Sequence, residues 1–220
     1  MPTELIDRTF AAVIFDMDGT LIDSTPAVLR AWSRWALDEG VPVQALSGYH
    51  GVPSAGVVAA VLPPQRRAEA LDRINRLELT DTDGIVPLPG AIDAFDRLPA
   101  DRLAIATSCT APLAGARLMA SGLTPPKVLV TVDDVEHGKP APDPYLAAAE
   151  RLGFDAADCL VVEDAPKGIQ SGRAAGAATL AVITTSPRNE LAAADLVVPN
   201  LAAVDWLVDP ASGEVRLRVR

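Results

Sequence analysis

The sequence predicts an α/β fold: a doubly wound parallel sheet with a helical unit inserted after its first strand. Three observations lead there. Short, wholly apolar runs alternate with helix-like segments over most of the chain. The rhythm breaks between residues 23 and 88, where helical spacing continues without strands. Carboxylates, hydroxyls and a lysine recur just beyond the ends of the apolar runs. Continuous apolar runs, unlike alternating ones, suit strands buried on both faces, as in a parallel sheet covered by helices on each side.

The first strand spans residues 10–15. Further strands follow at 103–106, 128–130, 160–162, 180–183 and 196–198, separated by helical patterns at 111–121, 144–152, 166–175 and about 187–193. Inside the insert, Pro26 suits a first helical position, with Ser24 or Thr25 ahead of it as cap. Val28, Leu29, Trp32 and Trp35 recur at helical spacing, and the two tryptophans read as packing residues. A second helix, 54–62, stops at Pro63-Pro64, and a third, 65–79, carries Leu71, Ile74 and Leu77 on one side. The turn-rich "TDTDG" and "VPLPG" close the insert, in which no strand is predicted. The division is therefore a Rossmann-like α/β core of residues 1–22 and 89–220, and a helical domain of residues 23–88. The tail "GEVRLRVR" alternates apolar residues with arginines and predicts an edge strand with a solvated arginine face.

With 220 residues, 49% of them hydrophobic, the chain is long enough to bury a full core. Its net charge of −10 argues against nucleic acid or an anionic membrane as partner. An anionic ligand would need locally supplied positive charge. Cys109 and Cys159, far apart, imply neither a disulfide framework nor a cysteine-rich metal site; they and His137 read as structural. There is no leader-like opening and no apolar stretch of about 18 residues, so a soluble cytoplasmic protein is expected.

Ligands of open α/β sheets collect beyond the carboxyl ends of the strands. There the sequence places Asp16 and Asp18 after the first strand, Thr107 and Ser108 after the second, Lys139 in the loop after the third, and Glu163 and Asp164 after the fourth. Two neighbouring carboxylates repel unless they share a cation or one is protonated. Asp16, Asp164 and Glu163 offer hard oxygen ligands of the kind Mg²⁺ takes, with a main-chain carbonyl near Asp18 as a further ligand. A metal and Lys139 would make a positive pocket suited to phosphate, and the Thr107 or Ser108 hydroxyl with nearby N–H groups could hold phosphate oxygens. Of these hydroxyls Thr107 is preferred. Glu163 is either a residue backing the metal ligands or a surface carboxylate; Asp164 could also cap the following helix. Leu21 and Ile22 are wrong for an EF-hand loop.

"FDMDGTLIDS", "AIATSCT", "GKPAPDPY" and "VVEDAPKGIQSGRAAG", in that order, resemble the four motifs of the haloacid dehalogenase-like phosphatase superfamily, and the insert resembles its subgroup with an α-helical cap. "AWSRWALDEG", "HGVPSA" and "DTDGIVPLPGA" further resemble the branch acting on hexitol, 2-deoxyglucose and glycerol phosphates. The resemblance implies that Asp16 is a nucleophile forming an aspartyl-phosphate. Asp18 would be the general acid/base. Mg²⁺ would be held by the Asp16 and Asp164 carboxylates and the Asp18 carbonyl, and Lys139 would neutralise charge. It implies a monomer acting on a small phosphorylated sugar or polyol. The cap would close over the substrate, with the loop of Tyr49, His50 and Gly51 as the expected place of leaving-group recognition. The same resemblance admits a phosphosugar mutase or a phosphoglycolate phosphatase-like enzyme. Mutases of the family carry a histidine ten residues after the second aspartate and an arginine in the cap loop; here the first position is Val28 and "HGVPSAG" contains no arginine. All four motif positions are filled, which speaks against a non-catalytic binding module, and the second aspartate serves an oxygen leaving group rather than a halide.

Overall fold

The computed structural model describes Leu5, residues 8–48 and residues 52–220; Tyr49, His50 and Gly51 lie outside the described residues. Six parallel strands form the main sheet in the order β5-β4-β1-β6-β7-β8, where β1 is Ala12–Phe15, β4 Leu103–Ala106, β5 Val128–Val130, β6 Cys159–Glu163, β7 Ala178–Val182 and β8 Leu196–Val198. The alternation of strand side chains divides the core in two. Val13, Phe15, Ile105 and Val162 pack on one face with Leu113 and Leu118; Ala12, Ile14, Ala104 and Val161 pack on the other with Tyr145 and Ala148. Both faces are thus sealed, and for that reason the strand sequences are apolar apart from Thr179 and the terminal Glu163.

The insert holds helices α1 (Thr25–Glu39), α2 (Ser54–Val61) and α3 (Pro64–Thr80). They bury a separate cluster around Trp35, Val58 and Ile74, and the Trp35 indole N–H donates to the Ala70 carbonyl at 2.8 Å. Trp35 is core, as its spacing predicts, whereas Trp32 meets it edge-on and also lines the cavity described below. The base of the insert is a two-stranded antiparallel ribbon of β2 (Ile22–Asp23) and β3 (Val86–Pro87), a strand absent from the sequence-based reading. Two residues are too few to show any hydrophobic period. Ser24 precedes α1 but does not cap it; its hydroxyl donates to Asp18 instead.

The core's remaining helices are α4 (Ala91–Arg97), α5 (Ala111–Ser121), α6 (Asp143–Leu152) and α7 (Pro166–Ala174). The expected helix at about 187–193 is a chain of single turns, Glu190 N–H to Pro187, Leu191 to Arg188 and Ala194 to Leu191, pinned by buried Leu191. The tail strand β10 (Val215–Val219) pairs antiparallel with β9 (Val204–Val208), so the predicted edge strand is half of a hairpin. Val215 and Leu217 point into the core, while Arg218 and Arg220 bind Asp205 in solvent. Among the described residues no helix is long and apolar enough to cross a membrane.

Candidate active site

The sheet order explains where the site must be. From β1 the chain proceeds to β4 and β5 on one side, then returns to β6 and continues to β7 and β8 on the other. The loops leaving β1 and β6 therefore diverge and open a crevice at the carboxyl ends of these neighbours. Asp16 is the first residue beyond β1; Glu163 ends β6 and Asp164 follows it.

These three residues each offer a carboxylate oxygen within 4.8 Å of the others, and all three are buried. Lys139, carried across by the loop between β5 and α6, places its ammonium 2.5 Å from Asp16 Oδ1 and 2.7 Å from Glu163 Oε1. Tyr145 on α6 donates to the same Glu163 oxygen at 2.9 Å. The other Glu163 oxygen accepts the N–H groups of Asp164 and Ala165 at 2.9 and 3.0 Å. Glu163 is therefore not a surface carboxylate. With both oxygens occupied, it acts as a post that orients Lys139 and the turn into α7. A Cβ on Gly168 would stand 1.6 Å from Glu163 Oε1, so only glycine lets α7 pass.

Asp164 accepts hydrogen bonds from Thr20, at 3.0 Å, and from Thr185. It does not cap α7, whose cap position is Ala165. Gly19 has φ +85°, and a Cβ there would meet Asp164 Oδ2 at 2.3 Å, so glycine lets the turn after Asp18 lie against that carboxylate. Asp18 is held from three sides: by the Ser24 hydroxyl at 2.5 Å, the Cys109 thiol at 3.1 Å and Arg117 Nη1 at 3.0 Å. Ser108 lines the cavity; Thr107, one residue earlier, is buried and its hydroxyl accepts the Cys109 N–H at 3.1 Å.

Arg117 and Glu78, both buried, and the thiol of Cys109 were not singled out from the sequence. A signal existed for the first two. Arg117 shares a buried helix face with Leu113, Ala114 and Leu118, and Glu78 continues the buried face of Ala70 and Ile74. Buried charges of this kind are retained with partners, and here the partners are each other and Asp18. Cys109 is not purely structural: it lines the cavity and touches Asp18. Burial pushes its thiol well above the ordinary range, and the charge of Asp18 adds to the effect. Its neutral S–H is thus the form that donates. His137 is exposed beside Asp143, away from the site.

One lysine faces three buried carboxylates. Burial raises Asp16 well above the carboxylate range, against the opposing pull of Lys139, and Glu163 and Asp164 push it further. Burial, then the charge of Glu163, raises Asp164 to about 7. Such a surplus of hard, desolvated oxygen donors fits a divalent cation. The linkage has a definite sign. Between about pH 4 and 7 the native state holds a proton on Asp164 that the unfolded chain has lost, so without metal this residue lowers stability as pH rises through that window. The expected result is that Asp164→Asn melts above the parent protein in EDTA at pH 8, that this advantage shrinks as pH falls and vanishes near pH 4, and that the variant loses the rise in Tm caused by a divalent cation. Melting curves across pH, with and without cation, check it; an advantage independent of pH would show that titration of Asp164 is not its source.

The crevice opens into a cavity of about 540 Å³ between sheet and insert. Asp16, Asp18, Ser108, Lys139 and Asp164 line its floor. Val28, Trp32, Ser33, Ser54 and Asn75 of the insert line its roof.

The profile of haloacid dehalogenase-like hydrolases matches residues 10–176. The chain is 40% identical to hexitol phosphatase A of Escherichia coli over 92% of its own length and 96% of that protein's, and 30% identical to glycerol-1-phosphate phosphohydrolase 2 of Saccharomyces cerevisiae over 84% and 79%. Among solved structures it is similar to a hydrolase from Pseudomonas syringae, with a TM-score of 0.77 and 28% identity over 87% of this chain and 94% of that one. Crevice, carboxylates and lysine thus coincide with a family-wide match, and the chain belongs to the haloacid dehalogenase-like hydrolase family.

Proposed function

We propose that the protein is a Mg²⁺-dependent phosphatase of small sugar or sugar-alcohol phosphate monoesters. The observation that carries the reading is the meeting of Asp16, Lys139, Glu163 and Asp164 on the floor of a cavity that also holds Asp18. The similarity to hexitol and glycerol-phosphate phosphatases supports the choice of substrate class.

Asp16 is the nucleophile. Its carboxylate oxygen attacks phosphorus, the bond from phosphorus to the sugar oxygen breaks, and that oxygen takes a proton from Asp18. Water then attacks the aspartyl-phosphate and gives its proton to Asp18. The bond to Asp16 breaks and inorganic phosphate leaves. Lys139 favours the ionised form of Asp16 and compensates the phosphoryl charge, while the hydroxyls of Thr107 and Ser108 orient phosphoryl oxygens. The carboxylates of Asp16 and Asp164 and the carbonyl of Asp18 would hold Mg²⁺, which when bound supplies further charge compensation.

Residues 23–88 act as a cap whose own core lets it move as a unit on the β2–β3 ribbon, shielding the reaction from water. Among the described residues the cap contributes neither lysine nor arginine to the cavity, only hydroxyl, amide and apolar groups with Glu78. That lining suits a neutral polyol better than the carboxylate of phosphoglycolate. Val28 at the cavity wall is apolar and cannot exchange protons as a mutase histidine would. His50 and Gly51 remain proposed leaving-group contacts.

A phosphate-release assay over hexitol, deoxyhexose, hexose, glycerol and glycolate phosphates tests the proposal. Release from the neutral sugar and polyol esters, abolished by EDTA and restored by Mg²⁺, is expected. Release from none of them, or release indifferent to EDTA, would overturn it.

A further inference from the structure

Behind Asp18 runs a second line of buried charge that the chemistry above does not use. Arg117 on α5 divides its guanidinium between two carboxylates: Nη1 lies 3.0 Å from Asp18 Oδ1 and Nη2 2.9 Å from Glu78 Oε1. Glu78 belongs to α3 of the insert, and its other oxygen accepts the hydroxyl of Ser54, the first residue of α2, at 3.0 Å. Two of the insert's three helices therefore grip one end of a planar fork whose other end fixes Asp18. Arg117 is 5% exposed and Glu78 also 5%. The Nε of Arg117 is buried without a hydrogen-bond partner among the described residues. On a helix face shared with Leu113, Ala114, Leu118 and Ser121, an apolar side chain would pack without that desolvation. A rigid two-ended donor is justified if what matters is the relation between its two ends.

We infer that Arg117 is a positioning residue that couples docking of the helical insert to the orientation of the Asp18 carboxylate, through Glu78 and Ser54. The inference rests on the phosphatase reading. When the insert is seated, Glu78 draws the guanidinium to the place where Nη1 meets Asp18 Oδ1. When the insert lifts, Glu78 and Ser54 leave with α3 and α2, Arg117 loses its far anchor, and Asp18 keeps Cys109 of the core and Ser24, which directly follows β2 of the ribbon at the insert's base. Proton delivery to the leaving oxygen is thereby confined to the covered site.

The test separates Asp18 from the rest of the machinery by leaving group. An alkyl phosphate needs a proton on the departing oxygen, whereas p-nitrophenolate departs without one. The variant of choice is the double replacement Arg117→Met with Glu78→Gln, which removes both buried charges of the pair together, leaving neither uncompensated, and so is expected to fold. Single-turnover cleavage of a hexitol phosphate is expected to fall about 10- to 100-fold, the range of a misplaced general acid. The p-nitrophenolate burst, which reports phosphorylation of Asp16, should stay within about threefold of the parent, since no acid is required. Glu78→Gln alone should show the same contrast in the same direction. Equal losses for both esters, or no loss for either, would overturn the inference while leaving the phosphatase reading intact. Loss on Arg117→Met but none on Glu78→Gln would overturn the coupling to the insert. A parent protein inactive on both esters would refute the phosphatase reading, and this inference with it.

Discussion

Asp16→Asn is expected to reduce phosphate release about 10⁴-fold or more, because an amide cannot accept the phosphoryl group. The same substitution should not unfold the protein. Asp16 is a buried carboxylate crowded by Glu163 and Asp164, and burial already raises its pKa well above the usual range. A neutral isostere relieves that crowding, so in EDTA the variant should melt at or above the parent temperature. Rate and Tm measured on one preparation check both halves. A variant that turns over normally would remove Asp16 from the nucleophile's place, and one that melts well below the parent would show that its charge is structurally required.

Lys139→Met is expected to move both quantities downward. Its ammonium lies against Asp16 and Glu163 with only 4% of the side chain exposed, and the methionine side chain fills a similar volume without the charge. Three buried carboxylates then face one another uncompensated. Breaking a buried pair in this way costs about 3–5 kcal/mol. Mg²⁺ should restore part of the lost stability, since it answers the same surplus of negative charge. It should not restore the rate, which is expected to stay about 10²–10³-fold down because the donor aimed at the phosphoryl oxygens is gone. Melting temperature against Mg²⁺ concentration, with kcat on the best substrate, provides the check; an unchanged Tm in EDTA would mean that Lys139 is not the counter-charge of the cluster.

The opposite signs expected for Asp16 and Lys139 follow from one feature, a site assembled with more negative charge than the chain itself neutralises. The site is costly to the apo protein and becomes favourable when cation and phosphate arrive. Chains of this kind hold destabilising groups where the chemistry needs them and recover the cost in the surrounding core.

Much of this was legible in the residue order. The strands were visible because burial on both faces demands unbroken apolar runs, and a run that stops in Asp16 or Asp164 announces a strand end facing solvent or ligand. The β2–β3 ribbon was not readable, since two-residue strands owe their existence to partners rather than to pattern. Nor was the failure of the helix near residue 190, where a leucine anchored beneath Ile169 and Ala181 holds the segment as separate turns. Ser24 had the composition and place of a cap, yet its hydroxyl donates to Asp18, an acceptor supplied by a different turn of the chain.

The division between sequence and tertiary structure follows from the range of the forces involved. Hydrophobic period, turn residues and strand termini are local, so the sequence alone determined which strands carry acids at their ends, that helices without long strands follow the first of them, and what chemistry those residue types favour. The distances among Asp16, Lys139 and Asp164, the grip of Glu78 on Arg117, and the use of Glu163 as a post rather than a surface charge belong only to the assembled molecule. They are set by the reversal of strand order between β1 and β6 and by the seating of the insert, which bring together groups far apart along the chain. No local pattern encodes such meetings, because burial, which gives them their energy, exists only after the layers have packed.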